Sequence, residues 1–237
     1  MTQCASLSVY NEKYVEVARK YISMLETSSP SYFLMSSIAS CASFMKQPQL
    51  FETYTQRLIS FYRSTPLKKL RFAENDDWGK IVVCTDFASI SGRELYDLLL
   101  SKYKIQCEAA GESFAIAMTS VSDTIDGFFR LSSALCEIDE SLDFCKKPPV
   151  SKPVIPAKKM KACSAAPAKA INSGDAIGKI SAEYVYAYPP GIPLIVPGEE
   201  ISAEFLSSVS RLCEAGIDVV CASGDISKTI SVVDIDI

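Results

Sequence analysis

The spacing of apolar residues changes once along this chain, at the turn-rich stretch Ala73-Glu74-Asn75-Asp76-Asp77-Trp78-Gly79, and that change restricts the fold more than any other feature. Before it the period is helical. Tyr14, Ala18, Ile22 and Leu25 line one face of a helix over residues 11–25. Thr27-Ser28-Ser29-Pro30 then interrupts it, because serine caps a helix and the following proline is pre-set for a first helical turn, so a second helix is expected from Ser31. Its face continues through Leu34, Ile38, Cys41 and Met45. Pro48 marks a kink or a fresh start before Leu50, Tyr54, Leu58 and Phe61, and the helices close near Arg63.

After the turn the apolar runs are short. Ile81-Val82-Val83-Cys84-Thr85 predicts a buried strand, and Ser91-Gly92-Arg93-Glu94 predicts a capping box that opens a helix through about Tyr103. Two further strands, 105–108 and 114–118, are joined by a turn at 110–112, and a helix over 122–138 completes a small α+β layer. Residues 146–172, dense in proline, alanine and lysine, predict a solvated linker. In the last unit, 180–186 alternates like a strand. Residues 200–215 form a helix with Ile201, Phe205, Val209 and Leu212 on one face and Gly216 as its stop, and 219–221 and 229–233 are further strands. The fold class is therefore α/β of the α+β kind, divided at 1–72, 73–145, a linker 146–172, and 173–237.

Composition excludes several functions. With 48% apolar residues the chain builds a real core. No apolar run reaches the roughly 20 residues that cross a bilayer, and no basic-then-apolar leader opens the chain, so a cytoplasmic protein with no membrane partner is expected. A net charge of −4 without a concentrated basic stripe argues against nucleic acid, and the lysines between Lys146 and Lys169 suit a solvated linker. Nine scattered cysteines, with no Cys-x-x-Cys pair and no histidine, predict reduced core thiols and no metal site. The lack of histidine also removes Ser-His and Cys-His nucleophiles.

Few residues are left to carry chemistry. Thr27, Ser28 and Ser29 gather hydroxyls at a helix N-terminus, a geometry that suits a phosphate and equally suits a plain cap. Tyr188-Pro189-Pro190-Gly191-Ile192-Pro193 is too rich in proline for a helix or a central strand, so an ordered turn or extended crossing is expected. Glu199 and Glu200 fall where the next helix is expected to start and suit its dipole or a cationic ligand. Glu108 and Glu112 flank the turn of the small layer and are candidates to face a cleft.

Two segments carry a resemblance: Leu25-Glu26-Thr27-Ser28-Ser29-Pro30-Ser31-Tyr32, and Ser181 through Glu199 with its Tyr-Pro-Pro-Gly-Ile-Pro core and closing Pro-Gly-Glu. Through them the chain resembles the fold-type-I, pyridoxal-phosphate-dependent ornithine/lysine/arginine decarboxylases over nearly its whole length. The resemblance implies that 1–72 are the last helices of the cofactor-binding large domain, 73–145 the small domain and 173–237 the C-terminal domain. It aligns Met1-Thr2-Gln3-Cys4 just after the lysine that holds the cofactor, so the expectation is a C-terminal part, inactive alone, of an enzyme of polyamine metabolism that releases CO2 from a basic amino acid. Lys13 and Lys20 lie too far along to replace that lysine. Thr27, Ser28 and Ser29 would then bind the phosphate of pyridoxal phosphate held by a neighbouring subunit. The partners implied are the N-terminal cofactor domain or an intact homologous decarboxylase, in a homo-oligomer. The alternative is a non-catalytic interaction module derived from such an enzyme.

Overall fold

The computed structural model describes residues 7–147, 154–162, 167–188 and 191–234, and these separate into two compact units, one ending at Thr55 and one beginning at Gln56. The first unit is helical. A short 3-10 turn, Glu12–Tyr14, leads into α1 (Val15–Leu25), followed by α2 (Tyr32–Met45) and the first half of α3 (Pro48–Ser64). Pro48 begins a new helix, as its fixed φ allows at a first turn. The start of α2 differs from expectation: Ser31, with extended backbone, is its N-cap, and Pro30 lies before the helix. Neither α1 nor α2 has a buried residue, and Tyr14, Ile22, Leu25, Leu34, Ile38 and Met45 are all exposed.

The stripe of α3 becomes buried toward its C-terminus, where Leu58 and Phe61 enter the second unit's core. A four-stranded antiparallel sheet follows, in the order β1 (Arg71–Phe72), β2 (Lys80–Cys84), β4 (Phe114–Met118), β3 (Ala109–Ala110). Both edge strands have two residues. In β2 and β4 alternate residues, Ile81, Val83, Ala115 and Ala117, are buried, as a sheet with one packed face requires. Helix α4 (Gly92–Tyr103) packs on β4 and on α5 (Ile125–Ser141). Its capping box is complete, with Ser91 Oγ accepting from Glu94 N at 3.1 Å and Ser91 N donating to the Glu94 carboxylate at 2.7 Å. Gly92 has a separate reason to be glycine: a Cβ there would fall inside the backbone of Gly111 and Phe114.

No strand forms over 105–108, where one was expected; the strand begins later, at Ala109–Ala110. Lys104 closes α4 in the left-handed conformation (φ 57°), and Ile105 N–H turns back to the Leu99 carbonyl at 3.0 Å. Those residues serve to leave the helix, and pairing begins only afterwards. The segment between α3 and β1 is held by Asp139 of α5, whose buried carboxylate accepts from the backbone N–H groups of Lys68, Lys69 and Leu70 at 3.0, 2.8 and 2.6 Å.

The last part has its own core of Ala176, Val185, Ile195, Ile201, Phe205, Val209, Ile230 and their neighbours. Strand β5 (Ala168–Asn172) pairs along its whole length with β9 (Thr229–Val233). Its residues lie in the stretch expected as linker, because alternating alanine and lysine give no apolar signal; the partner strand supplies the pairing. Beside this two-stranded sheet, a third sheet has the order β7 (Ile192–Ile195), β6 (Val185–Tyr188), β8 (Asp218–Cys221). Ile180 and Ser181, expected at the head of β6, make only isolated bridges, since Ser181 Oγ turns to the Glu183 carbonyl at 2.8 Å. Helix α6 (Ala203–Glu214) is capped by Ser202 and stopped by Gly216 at φ +76°.

Candidate functional site

Thr27, Ser28 and Ser29 form the exposed junction between α1 and α2. Thr27 Oγ1 accepts from Ser29 N at 3.2 Å, which bends the chain into a tight turn. None of the three caps α2, and Ser31, which does stand at the cap, makes no side-chain bond to the helix. The first helical bond is Met35 N to Ser31 O at 3.0 Å, so the preceding amides of a 14-residue helix point their donors outward. These amides lie at the positive end of the helix dipole, next to three hydroxyls. Lys13 and Lys20 are exposed residues around α1.

The described residues of the proline-rich segment lie in or beside two paired strands. Strands β6 and β7 pair antiparallel around Gly191 at φ +105°; Pro189 and Pro190 lie outside the described residues, as do Met1 to Cys4 and Cys163. Pro193 sits within β7, an edge strand, where a missing N–H costs the ladder least. On β6 and just before it, Tyr186 and Tyr184 stack at 5.7 Å with planes 9° apart. The β6–β7 pair shares a cavity of about 270 Å³ with the β3–β4 turn and α6: Ala187, Ile192 and Leu194 line it from one side and Glu112 from the other. Glu112 therefore faces a cleft, whereas Glu108 is exposed outside it.

Glu199 and Glu200 are not at a helix start. Helix α6 begins three residues later, with Glu204 in its first turn; Glu199 instead accepts from Val196 N at 2.9 Å, and Glu200 pairs with Lys159 at 2.8 Å. Both tie the stretch expected as linker onto the last domain, since the backbones of Lys158 and Glu199 form an isolated β-bridge and Met160 N donates to the Gly198 carbonyl at 3.0 Å. Lys147 is likewise half-buried and donates to the Ile90 carbonyl, and desolvation there lowers its pKa. Glu183, within the matched signature, is buried and accepts from Ser223 N (2.8 Å), Ser223 Oγ (2.6 Å) and Ser231 N (2.5 Å), which pins the β8–β9 loop.

The cysteines are not uniformly core residues. Cys107 and Cys221 are buried, while Cys41, Cys145 and Cys213 are exposed; none of the seven described is in a disulfide. Burial pushes the Cys107 thiol up to about 11 and raises Cys84, so neither is an activated nucleophile. Among the described residues no group of three metal-ligating side chains converges, and no helix is long and apolar enough to cross a membrane. Sequence reasoning missed Asp139, Glu183 and the Lys147 contact, all of them polar groups whose partners are distant in the chain.

Residues 144–214 match the family model of the Orn/Lys/Arg decarboxylase C-terminal domain. The chain is 27% identical over 218 residues to an arginine decarboxylase of Bacillus subtilis, covering 84% of this chain and 44% of that protein. It is also 27% identical over 242 residues to an arginine decarboxylase of Bacillus anthracis, covering 92% and 48%. In fold it resembles the constitutive lysine decarboxylase of Escherichia coli (TM-score 0.69, 15% identity, 96% of this chain and 46% of that one) and a lysine decarboxylase of Francisella novicida (TM-score 0.70, 17% identity, 96% and 46%). The chain thus spans less than half the length of these relatives.

Proposed function

The chain carries the C-terminal domain of the Orn/Lys/Arg decarboxylase family, and from that premise we propose that it works as the C-terminal part of a pyridoxal-phosphate-dependent decarboxylase of arginine, lysine or ornithine, in cytoplasmic polyamine metabolism. The match over residues 144–214 carries this reading, and unpaired cysteines at every described position accord with a reducing compartment. Pyridoxal phosphate, when bound, supplies the electron sink that lets an amino acid lose CO2.

This chain's contribution is to hold one end of that cofactor. The outward amides at the start of α2 and the hydroxyls of Thr27, Ser28 and Ser29 suit its phosphate. For the ring and aldehyde, the chain contains no histidine to stack on the ring, and Lys13 and Lys20 lie on solvent-facing positions among the described residues. By themselves these 237 residues are therefore inactive, and they work with a cofactor-bearing large domain or an intact homologous decarboxylase. The exposed apolar residues of α1 and α2 support such a partner and a homo-oligomer.

Co-expression with the large domain of a close relative tests the reading. A complex that retains pyridoxal phosphate and releases CO2 is expected, whereas the chain alone gives neither. Replacing Thr27, Ser28 and Ser29 by alanine should weaken cofactor retention by about 0.5–1.5 kcal/mol per hydroxyl that bonds the phosphate. An unchanged dissociation constant would return the three residues to the role of a turn, and failure of any complex to form would overturn the proposal.

A further inference from the structure

A second cavity, of about 770 Å³, opens between the C-terminal half of α3 and the 73–79 turn, within the second unit. Three aromatic rings wall it. Tyr62 stands edge-on to Phe72 (centroids 5.0 Å, planes at 87°) and to Trp78 (6.5 Å, 76°), and Tyr62 Oη donates to the Trp78 carbonyl at 3.0 Å, which fixes the turn against the helix. Trp78 is nevertheless 55% exposed, an unusual position for the only tryptophan of the chain.

The polar groups of the cavity are unbalanced. Glu74 and Asp76 line it without an ion-pair or hydrogen-bond partner among the described residues, whereas the adjacent Asp77 is committed to Lys80 at 2.8 Å. Arg63 is the cation in the lining, so two carboxylates face one guanidinium and the cavity is net negative. Asn75 donates from Nδ2 to the Lys80 carbonyl at 3.1 Å, yet its Oδ1 is buried with no donor. A buried acceptor without a partner costs free energy, and a ligand N–H reaching it as the turn adjusts would recover that cost.

Aromatic walls attract cations through the ring quadrupole, carboxylates do so by charge, and an orphaned carbonyl oxygen calls for an N–H. An anion would meet the carboxylates, and an uncharged apolar molecule would leave both them and Asn75 unanswered. We propose that the cavity bounded by Tyr62, Phe72 and Trp78, with Glu74, Asp76 and Asn75, is a binding site for a primary alkylammonium ion. This site stands on its own observations and does not depend on the decarboxylase reading.

Trp78 reports on it directly. Titrating the 237-residue chain with 1-aminopentane at neutral pH should give a saturable change in tryptophan emission in the millimolar range, and 1-pentanol, or potassium chloride at the same ionic strength, should not. Saturation-transfer NMR on the same unmodified protein should show contact strongest at the methylenes next to the ammonium, irrespective of the chain's association state. The Glu74→Gln/Asp76→Asn variant, checked for an unchanged far-UV spectrum, should bind the amine roughly threefold to tenfold more weakly, as expected for two exposed charge contacts. If the variant does not fold, the same weakening is read on the unmodified chain as a loss of amine affinity on raising the salt concentration. An equal response to 1-pentanol, the absence of saturation, or an affinity indifferent to both the charges and salt would overturn the assignment.

Discussion

Single residues carry much of the second unit's order through buried polar contacts. Asp139 accepts three backbone N–H groups between α3 and β1. Removing its carboxylate leaves those donors in a dry site, so Asp139→Ala should lower stability by about 2–4 kcal/mol in denaturant unfolding. Cys107 gives a pH-dependent counterpart. Its folded pKa, about 11, lies above the ordinary 9.0, so its contribution is fully present below about 9 and is lost as the pH rises toward 11. At mild alkaline pH an alkylating reagent should modify the exposed Cys41 and Cys145 first and Cys107 last, a sequence that mass spectrometry of tryptic peptides will read. Early labelling of Cys107 would mean that the small layer opens readily.

Elements were legible wherever the signal is local. The capping box at Ser91–Glu94, the apolar run of β2, the stop at Gly216 and the strand 229–233 each depend on residues a few positions apart, and the structure has them. Strand β5 was not legible, because its reason lies far along the chain in β9; Ile180–Glu183 misled because a serine and a buried glutamate bend the chain where the alternation runs on. The candidate site divides the same way. The Thr27–Ser29 turn was visible, its distance from the true cap of α2 was not, and the aromatic cavity required the fold to bring Tyr62 beside Trp78. Packing between elements also dictates a substitution no local pattern announces. Gly92 lets α4 approach the backbone of Gly111 and Phe114, so Gly92→Ala, normally favourable in a helix, should destabilise by roughly 2–3 kcal/mol or prevent folding. A thermal melt at or above that of the unmodified chain would disprove the tight approach.

For the whole molecule, the exposed side chains of α1 and α2 dominate solution behaviour. Phe33 is 90% exposed, and Tyr32 and Leu25 are more than four-fifths exposed, so several large apolar side chains of α1 and α2 face solvent, as residues that partners cover do. The 237-residue chain should self-associate at tens of micromolar, and a monodisperse monomer in sedimentation velocity would contradict this. What such assemblies cannot easily do follows from the margins of the first sheet. β1 and β3 offer two residues each, and β7 includes a proline, so at these edges an incoming strand finds little free backbone to copy, whereas the longer edges β5 and β8 carry no proline. The first sheet therefore gives little template for cross-β growth, and any such pairing would have to start at β5 or β8.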